Sequence, residues 1–192
     1  LIDAEGQVAD LYDKHHLVPF GEYMPAGRIF RRLGIRALAA LDVAGYTPGP
    51  GPRLIDAGPL GRALPLICYE AIFPQDVSAA PARPDWLLQI TNDAWFGKIL
   101  GPHQHLAQAR MRAVEQGLPM VRVANTGVSA MIDARGRVTG ALPLDTSGHA
   151  DLRLPPAAPP TLYSRTGDLP MLALFLALGL AAAAARAPHR QP

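Results

Sequence analysis

A mixed α/β sandwich followed by one membrane-spanning helix is the architecture that this chain of 192 residues predicts. Three observations carry that prediction. Short runs rich in aliphatic and β-branched residues alternate with stretches of helical period. Two of those runs face each other across the tight turn Ala134-Arg135-Gly136, as the arms of a hairpin do. Near its end the chain holds an uncharged apolar run, Leu169 to Ala185.

The elements follow in order. Gln7 to Leu11 reads as a strand. Asp13 to Pro25 is irregular, broken by Pro19, Gly21 and Pro25. Arg28 to Leu41 has the pattern of a short helix, basic through Arg28, Arg31, Arg32 and Arg36 and otherwise partly apolar. It suits a plain surface helix or an arm resting on anionic lipid. Ala44 to Pro52 is loop. Arg53 to Ile55 and Ala63 to Cys68 read as strands around the turn from Ala57 to Gly61. Phe73 to Ala80 is a helix ended by Pro81 and Pro84. Trp86 to Thr91 is a buried strand. His103 to Gly117 is the clearest helix. Ala107, Met111, Val114 and Leu118 share one face as its apolar stripe, with Arg110, Arg112 and Glu115 off it. Glu115 reads as a surface or structural ion-pair partner. Met120 to Ala124 is a strand, and Ser129 to Asp133 pairs with Arg137 to Leu142. From Pro155 the proline density marks a linker to the tail helix. No internal repeat is present.

Composition narrows the function. A formal net charge of +2 gives no electrostatic footprint for a nucleic-acid partner. No Cys/His set has zinc spacing, no glycine-rich loop is built for phosphates, and no cofactor is called for. His103 and His105 stand two apart and do not share a helix face, which argues against a metal pair. The chain opens on Leu1, within what reads as a strand–turn–strand, as a piece of a longer protein would.

The tail is long enough to cross a bilayer, since about 17–25 apolar residues suffice. A buried core helix is the competing reading. Pro170 suits a first helical turn. Arg186 and Arg190 after the span favour a cytoplasmic C-terminus, although Arg165 on the other side dilutes the bias. Residues before 165 would then face the periplasm of a Gram-negative cell.

The candidate chemistry centres on Cys68, the single cysteine. It ends the apolar run from Ala63 to Ile67 and precedes Tyr69 and Glu70. A strand that ends on a thiol and then turns can serve as a nucleophile elbow, with the next amide free to hold an oxyanion. A small buried hydrophobe is the alternative. The segment Tyr12 to Tyr23 places Lys14 close in sequence to Glu22. An ammonium near a thiol lowers its pKa and can steady a tetrahedral oxyanion. A solvated surface lysine is the alternative, although the chain has only two lysines, Lys14 and Lys98.

Three blocks in this order carry a resemblance: YDKHHLVPFGEYMP from Tyr12, ICYEAIFP from Ile67, and the long block from Leu87 to Asp133. Together they resemble the apolipoprotein N-acyltransferase family, membrane enzymes of the nitrilase (carbon–nitrogen hydrolase) superfamily. The resemblance implies part of a nitrilase-like αββα sandwich with one C-terminal transmembrane helix. It divides the chain into a partial catalytic domain at 1–154, a proline-rich linker at 155–168, a membrane helix at 169–185 and a cytoplasmic tail at 186–192. It implies an inner-membrane location with the catalytic domain on the periplasmic side.

The resemblance also implies a Glu-Lys-Cys catalytic set. Cys68 matches the nucleophile, Lys14 the lysine and Glu22 a second, supporting glutamate, while Tyr69 and Glu70 support the site. The family's general-base glutamate falls upstream of Leu1, and Glu5 is in the wrong context to replace it. The implied reaction passes an acyl group from a phospholipid to Cys68 and on to the amine of an apolipoprotein's N-terminal cysteine. Lys14 and the Tyr69 N–H would hold the oxyanion. Asn92 would orient the site or merely form a turn. Trp95 and Phe96 would line an acyl-chain pocket or pack in the core. A soluble amidase of the same superfamily and a non-catalytic membrane-anchored module are the rival readings.

Overall fold

The computed structural model describes residues 1–26, 29, 32–33 and 45–186. Most of the Arg28–Leu41 segment therefore lies outside the described residues. The body is one six-stranded mixed sheet whose spatial order follows the sequence. The strands are β1 (Ile55–Asp56), β2 (Arg62–Ile67), β3 (Trp86–Asn92), β4 (Met120–Asn125), β5 (Ser129–Ile132) and β6 (Val138–Leu142). β2, β3 and β4 run parallel at the centre. β1 joins one side antiparallel, and β5 and β6 extend the other side as the expected hairpin.

The central strands are parallel because helical segments connect them. A 3₁₀ turn (Cys68–Ile72) and α1 (Pro74–Ser78) lead from β2 to β3, and α2 (Gly101–Gln116) leads from β3 to β4. Leu64, Leu66, Leu87, Met120 and Ile132 of the sheet pack in one core with Val77 of α1 and Ala109 and Ala113 of α2. The helices thus cover the same face, giving one helix layer on one sheet, half of an αββα sandwich. On the strands Ile90 and Val123 are half exposed. Pro65 is tolerated inside β2 because β1 pairs only with Arg62 and Ala63 and stops short of it.

Two expectations are corrected. Gln7 to Leu11 is not a strand, since only an isolated bridge joins Ile2 and Val8. The Asp3 carboxylate accepts from the backbone N–H of Glu5 and Gln7, and both Ala9 and Asp10 donate to the Leu1 carbonyl. The Asp3 bonds close the turn, and pairing between the two arms goes no further than this bridge. The helix α2 has the predicted extent but a different buried face. His105, Ala109, Arg112, Ala113 and Gln116 are buried, while Met111 and Val114 are about half exposed. Small alanines let the helix close on the sheet, and Arg112 is buried because its guanidinium donates to the Ile72 carbonyl at 2.7 Å and to Glu115 at 2.6 Å. Glu115 is thus the structural ion-pair partner expected of it.

After β6 the chain runs without regular structure to α3 (Leu162–Thr166) and α4 (Leu169–Arg186). α4 is long and apolar enough to cross a membrane, and none of it is buried against the rest of the molecule. Within this chain, no described segment covers it.

The reversed face of α2 is testable. Met111→Ser should change unfolding free energy by no more than about 0.5 kcal/mol, as surface substitutions do. Ala109→Leu should cost about 1–3 kcal/mol through overpacking. Denaturant midpoints of the two variants measure the difference.

Candidate active site

β2 ends at Ile67, and Cys68 takes a left-handed conformation, φ +52, before entering the 3₁₀ turn. A non-glycine residue rarely adopts this region without support from its surroundings. Because β2 and β3 are parallel, with Ile67 opposite Ile90, the elbow and the segment after β3 lie at the same edge of the sheet.

Glu70 is fully buried. Its carboxylate accepts from the N–H of Ile67 at 2.7 Å, of His15 at 2.6 Å and of His16 at 3.3 Å, and from the Tyr12 hydroxyl at 3.3 Å. His15 Nδ1 lies 2.7 Å from the same carboxylate. One side chain two residues past the thiol therefore fastens the Tyr12–His16 loop to the elbow. Burial, then the Glu70 charge, push the Tyr12 hydroxyl far above its ordinary pKa, so it stays a donor. His16 stacks on Phe73 at 4.2 Å, and the Tyr69 ring meets both edge-on. His16 also pairs with Asp76 at 2.6 Å.

Lys14 sits between the residues so fastened. Its Nζ lies 2.6 Å from both oxygens of Glu22, and its side chain is only 11% exposed. The solvated-surface alternative for Lys14 is thereby overturned. Glu22 Oε2 also accepts from the Val18 N–H at 2.8 Å, which fixes the carboxylate in turn. Gly49 donates its N–H to the Lys14 carbonyl at 2.8 Å. A Cβ at Gly49 would stand 2.4 Å from the Asp13 carbonyl oxygen, so only glycine permits this approach.

A buried polar network underlies this edge. Asp93 receives Arg122 on one carboxylate oxygen, and His105 Nδ1 at 2.8 Å and the Thr91 hydroxyl at 3.1 Å on the other. Arg122 also donates to the Gln89 oxygen, which turns the Gln89 amide nitrogen toward His105 Nε2 at 3.0 Å. That orientation places the His105 proton on Nδ1, facing Asp93. His105 Nε2 then rests 3.3 Å from the Cys68 carbonyl oxygen as a packing contact. Burial pushes the Asp93 carboxyl up, but His105, Arg122 and Thr91 outweigh it and hold it below the ordinary value. Burial draws the Arg122 guanidinium down against the pull of Asp93.

The remaining predicted residues separate. The Asn92 side chain accepts from the Ala94 N–H at 3.2 Å and caps the 3₁₀ turn Asp93–Phe96. Trp95 is 78% exposed and Phe96 41%, so neither is a core residue. Phe96 meets His105 edge-on, with ring centroids 5.4 Å apart. His103 is exposed while His105 is buried, so the two do not converge. Sequence reasoning missed Asp93, His105 and Arg122. A signal was present: Gln89, Thr91 and Asp93 alternate from β3 onward, and polar residues at period two on one side of a buried strand call for partners.

The model of the carbon–nitrogen hydrolase family matches residues 1–157, and the chain belongs to that family. Its sequence relatives are more particular. It is 47% identical to the apolipoprotein N-acyltransferase of Bradyrhizobium diazoefficiens over 192 residues, all of this chain and 36% of that protein. It is 47% identical to the apolipoprotein N-acyltransferase of Rhodopseudomonas palustris over 173 residues, 90% of this chain and 32% of that protein. The chain thus spans about a third of the length of these relatives, 36% and 32%. A mutant of the Nesterenkonia AN1 amidase from the nitrilase superfamily superposes with a TM-score of 0.55 at 22% identity, covering 91% of this chain and 60% of that one. A carbon–nitrogen hydrolase from Helicobacter pylori G27 gives 0.52 at 17% identity, over 77% and 52%. These two likenesses bear on the fold alone.

Two measurements follow. Arg122→Leu leaves Asp93 buried without its counter-charge and should cost about 3–5 kcal/mol in thermal or denaturant unfolding. The depressed Asp93 pKa sets a sign with pH. Its contribution is complete above the unfolded value of 3.8 and is lost as pH falls through the lower native value. Asp93→Asn should therefore flatten the acid limb of the stability curve. A limb remains, because the Arg53 side chain holds Asp10 low and the Arg137 N–H does the same for Asp133.

Proposed function

We propose that this chain carries the nucleophile of a membrane-bound acyltransferase that N-acylates apolipoproteins. A base supplied by the part of the longer relatives that this chain does not span takes the proton from Cys68. The thiolate attacks an ester carbonyl of a phospholipid, and the Lys14 ammonium and the Tyr69 N–H stabilise the oxyanion. When the intermediate collapses, the ester C–O bond breaks and the lysophospholipid leaves with a proton. The amine of the apolipoprotein's N-terminal cysteine then attacks the thioester, an amide bond forms, and Cys68 is released as a thiol. Glu22 aims Lys14, and no cofactor enters. Residues 1–154 belong to the catalytic domain on the periplasmic face, 155–168 join it to the membrane helix at 169–185, and 186–192 lie in the cytoplasm.

One observation supports this reading above the others. A single buried carboxylate, Glu70, ties the turn at Cys68 to the backbone beside Lys14, and Lys14 is itself clasped by Glu22. A thiol in a left-handed elbow, an oriented ammonium and 47% identity to two apolipoprotein N-acyltransferases fit one chemistry. The exposed apolar helix α4 supports a location beside a bilayer, where acyl chains are found.

The full-length protein, reconstituted with acyl-labelled phospholipid, should carry hydroxylamine-labile label on the peptide that contains Cys68. Cys68→Ala should abolish the label, and Lys14→Met should slow its appearance about 10²–10³-fold, the scale of losing one oxyanion donor. Labelling at the wild-type rate in Lys14→Met, or label elsewhere than Cys68, ends the proposal. An enzyme that washes off membranes and turns over only small amides belongs to the soluble amidase class instead.

A further inference from the structure

The segment between the sheet and the tail helix reads as a linker in the sequence, but it is fastened to the body at Ala158 and Thr161. Arg83 donates to three backbone carbonyls: Gln116 at 2.8 Å, Gly117 at 3.3 Å and Ala158 at 2.8 Å. The first two lie at the C-terminal end of α2, where the last carbonyls lack helical partners and the helix dipole favours a cation. The third belongs to the strap itself. Ala158 returns its N–H to the Gly117 carbonyl at 2.9 Å. The Thr161 hydroxyl donates to the Glu115 carbonyl while accepting from the Ser164 N–H at 2.9 Å, so it caps α3 and fastens the strap at once. Gly117 is in the left-handed region, φ +63, and a Cβ there would stand 2.9 Å from the Pro159 carbonyl oxygen. Only Gly167 and Asp168 separate α3 from α4.

We propose that Arg83 and the strap at 155–161 hold the catalytic domain at a fixed height and orientation on the membrane helix. Arg83 is a positioning residue for bilayer-embedded acyl donors. This inference rests on the membrane-acyltransferase reading above. A free tether leaves the domain to sample many orientations, whereas a clamped one keeps the Cys68 edge presented to the acyl donor, at higher effective concentration. The guanidinium suits this task, since its rigid fork engages carbonyls from two segments simultaneously.

The test uses the full-length protein and two variants. Arg83→Ala removes the clamp. A short Gly-Ser-Gly insertion between Gly167 and Asp168 leaves the clamp and the catalytic domain intact and uncouples only the helix. Both should lower acyl transfer from vesicle phospholipid about tenfold. Both should leave unchanged the rate of Cys68 alkylation by iodoacetamide and the turnover of a water-soluble short-chain thioester. Arg83→Ala alone should open the strap to limited proteolysis. Equal losses on vesicle and soluble substrates in both variants, or no loss on vesicles in either, overturn the proposal. A wild-type protein that takes up no acyl group instead overturns the acyl-transfer reading, and proteolysis of the strap still reports whether Arg83 clamps it.

Discussion

The buried carboxylate of Glu70 is the constraint on which the candidate site depends. It belongs to the turn that follows β2, so its position is set by the sheet. Its acceptor capacity is spent on donors from two separate segments, Ile67 beside the elbow and Tyr12, His15 and His16 in the distant loop. A buried carboxylate with no donors would be costly, and so would the loop's amides without an acceptor. Each part therefore requires the other. The loop has little regular structure of its own, and this shared carboxylate specifies where Lys14 stands. An ammonium between the anchored Tyr12 hydroxyl and the anchored His15 amide needs only the Glu22 clasp to be oriented.

The network beneath the same edge works on a different principle. Arg122 and Asp93 are both fully buried, and a buried pair is often no more stabilising than an apolar one. Its contribution is positional. Arg122 sets which way the Gln89 amide faces, Gln89 and Asp93 together set the ring of His105, and His105 packs against the carbonyl of Cys68. Strand register makes this chain of contacts repeatable, because Gln89 and Arg122 are opposite one another on β3 and β4. The network thus lies beneath the left-handed cysteine, whose own turn is tied to the end of β2 through Glu70 and Ile67.

Much of the fold was legible because its signals are local. Strand runs, the hairpin turn and the terminal apolar run all depend on neighbours in sequence, and the elements came out close to where those patterns place them. The face of α2 was not legible by the same means. Hydropathy selects Met111 and Val114, but the helix buries Arg112 and His105 because partners from elsewhere, the Ile72 carbonyl and Asp93, satisfy them. Pattern alone cannot supply a partner that is distant in sequence. The same limit hid the Asp93–His105–Arg122 network, whereas Lys14 and Glu22, eight residues apart, were paired from the motif that contains both. The exposure of Trp95 and Phe96 was likewise beyond pattern, since aromatic residues after a buried strand suit a core equally well.

That exposure bears on the chemistry. Trp95, Phe96, Ile99 and Leu100 form an uncovered apolar turn between β3 and α2, following the strand end that lies beside Cys68. In a soluble hydrolase acting on a small amide, such a turn would need the rest of the protein to cover it. A thioester that carries a fatty chain has a different need, because each methylene buried is worth about 0.8 kcal/mol. On the proposed reading, an apolar rim at the nucleophile's edge would give such a chain somewhere to lie. On the acyltransferase reading proposed above, this wet apolar surface is the one that a fatty chain would cover, and its cost to the free domain would be offset when substrate binds.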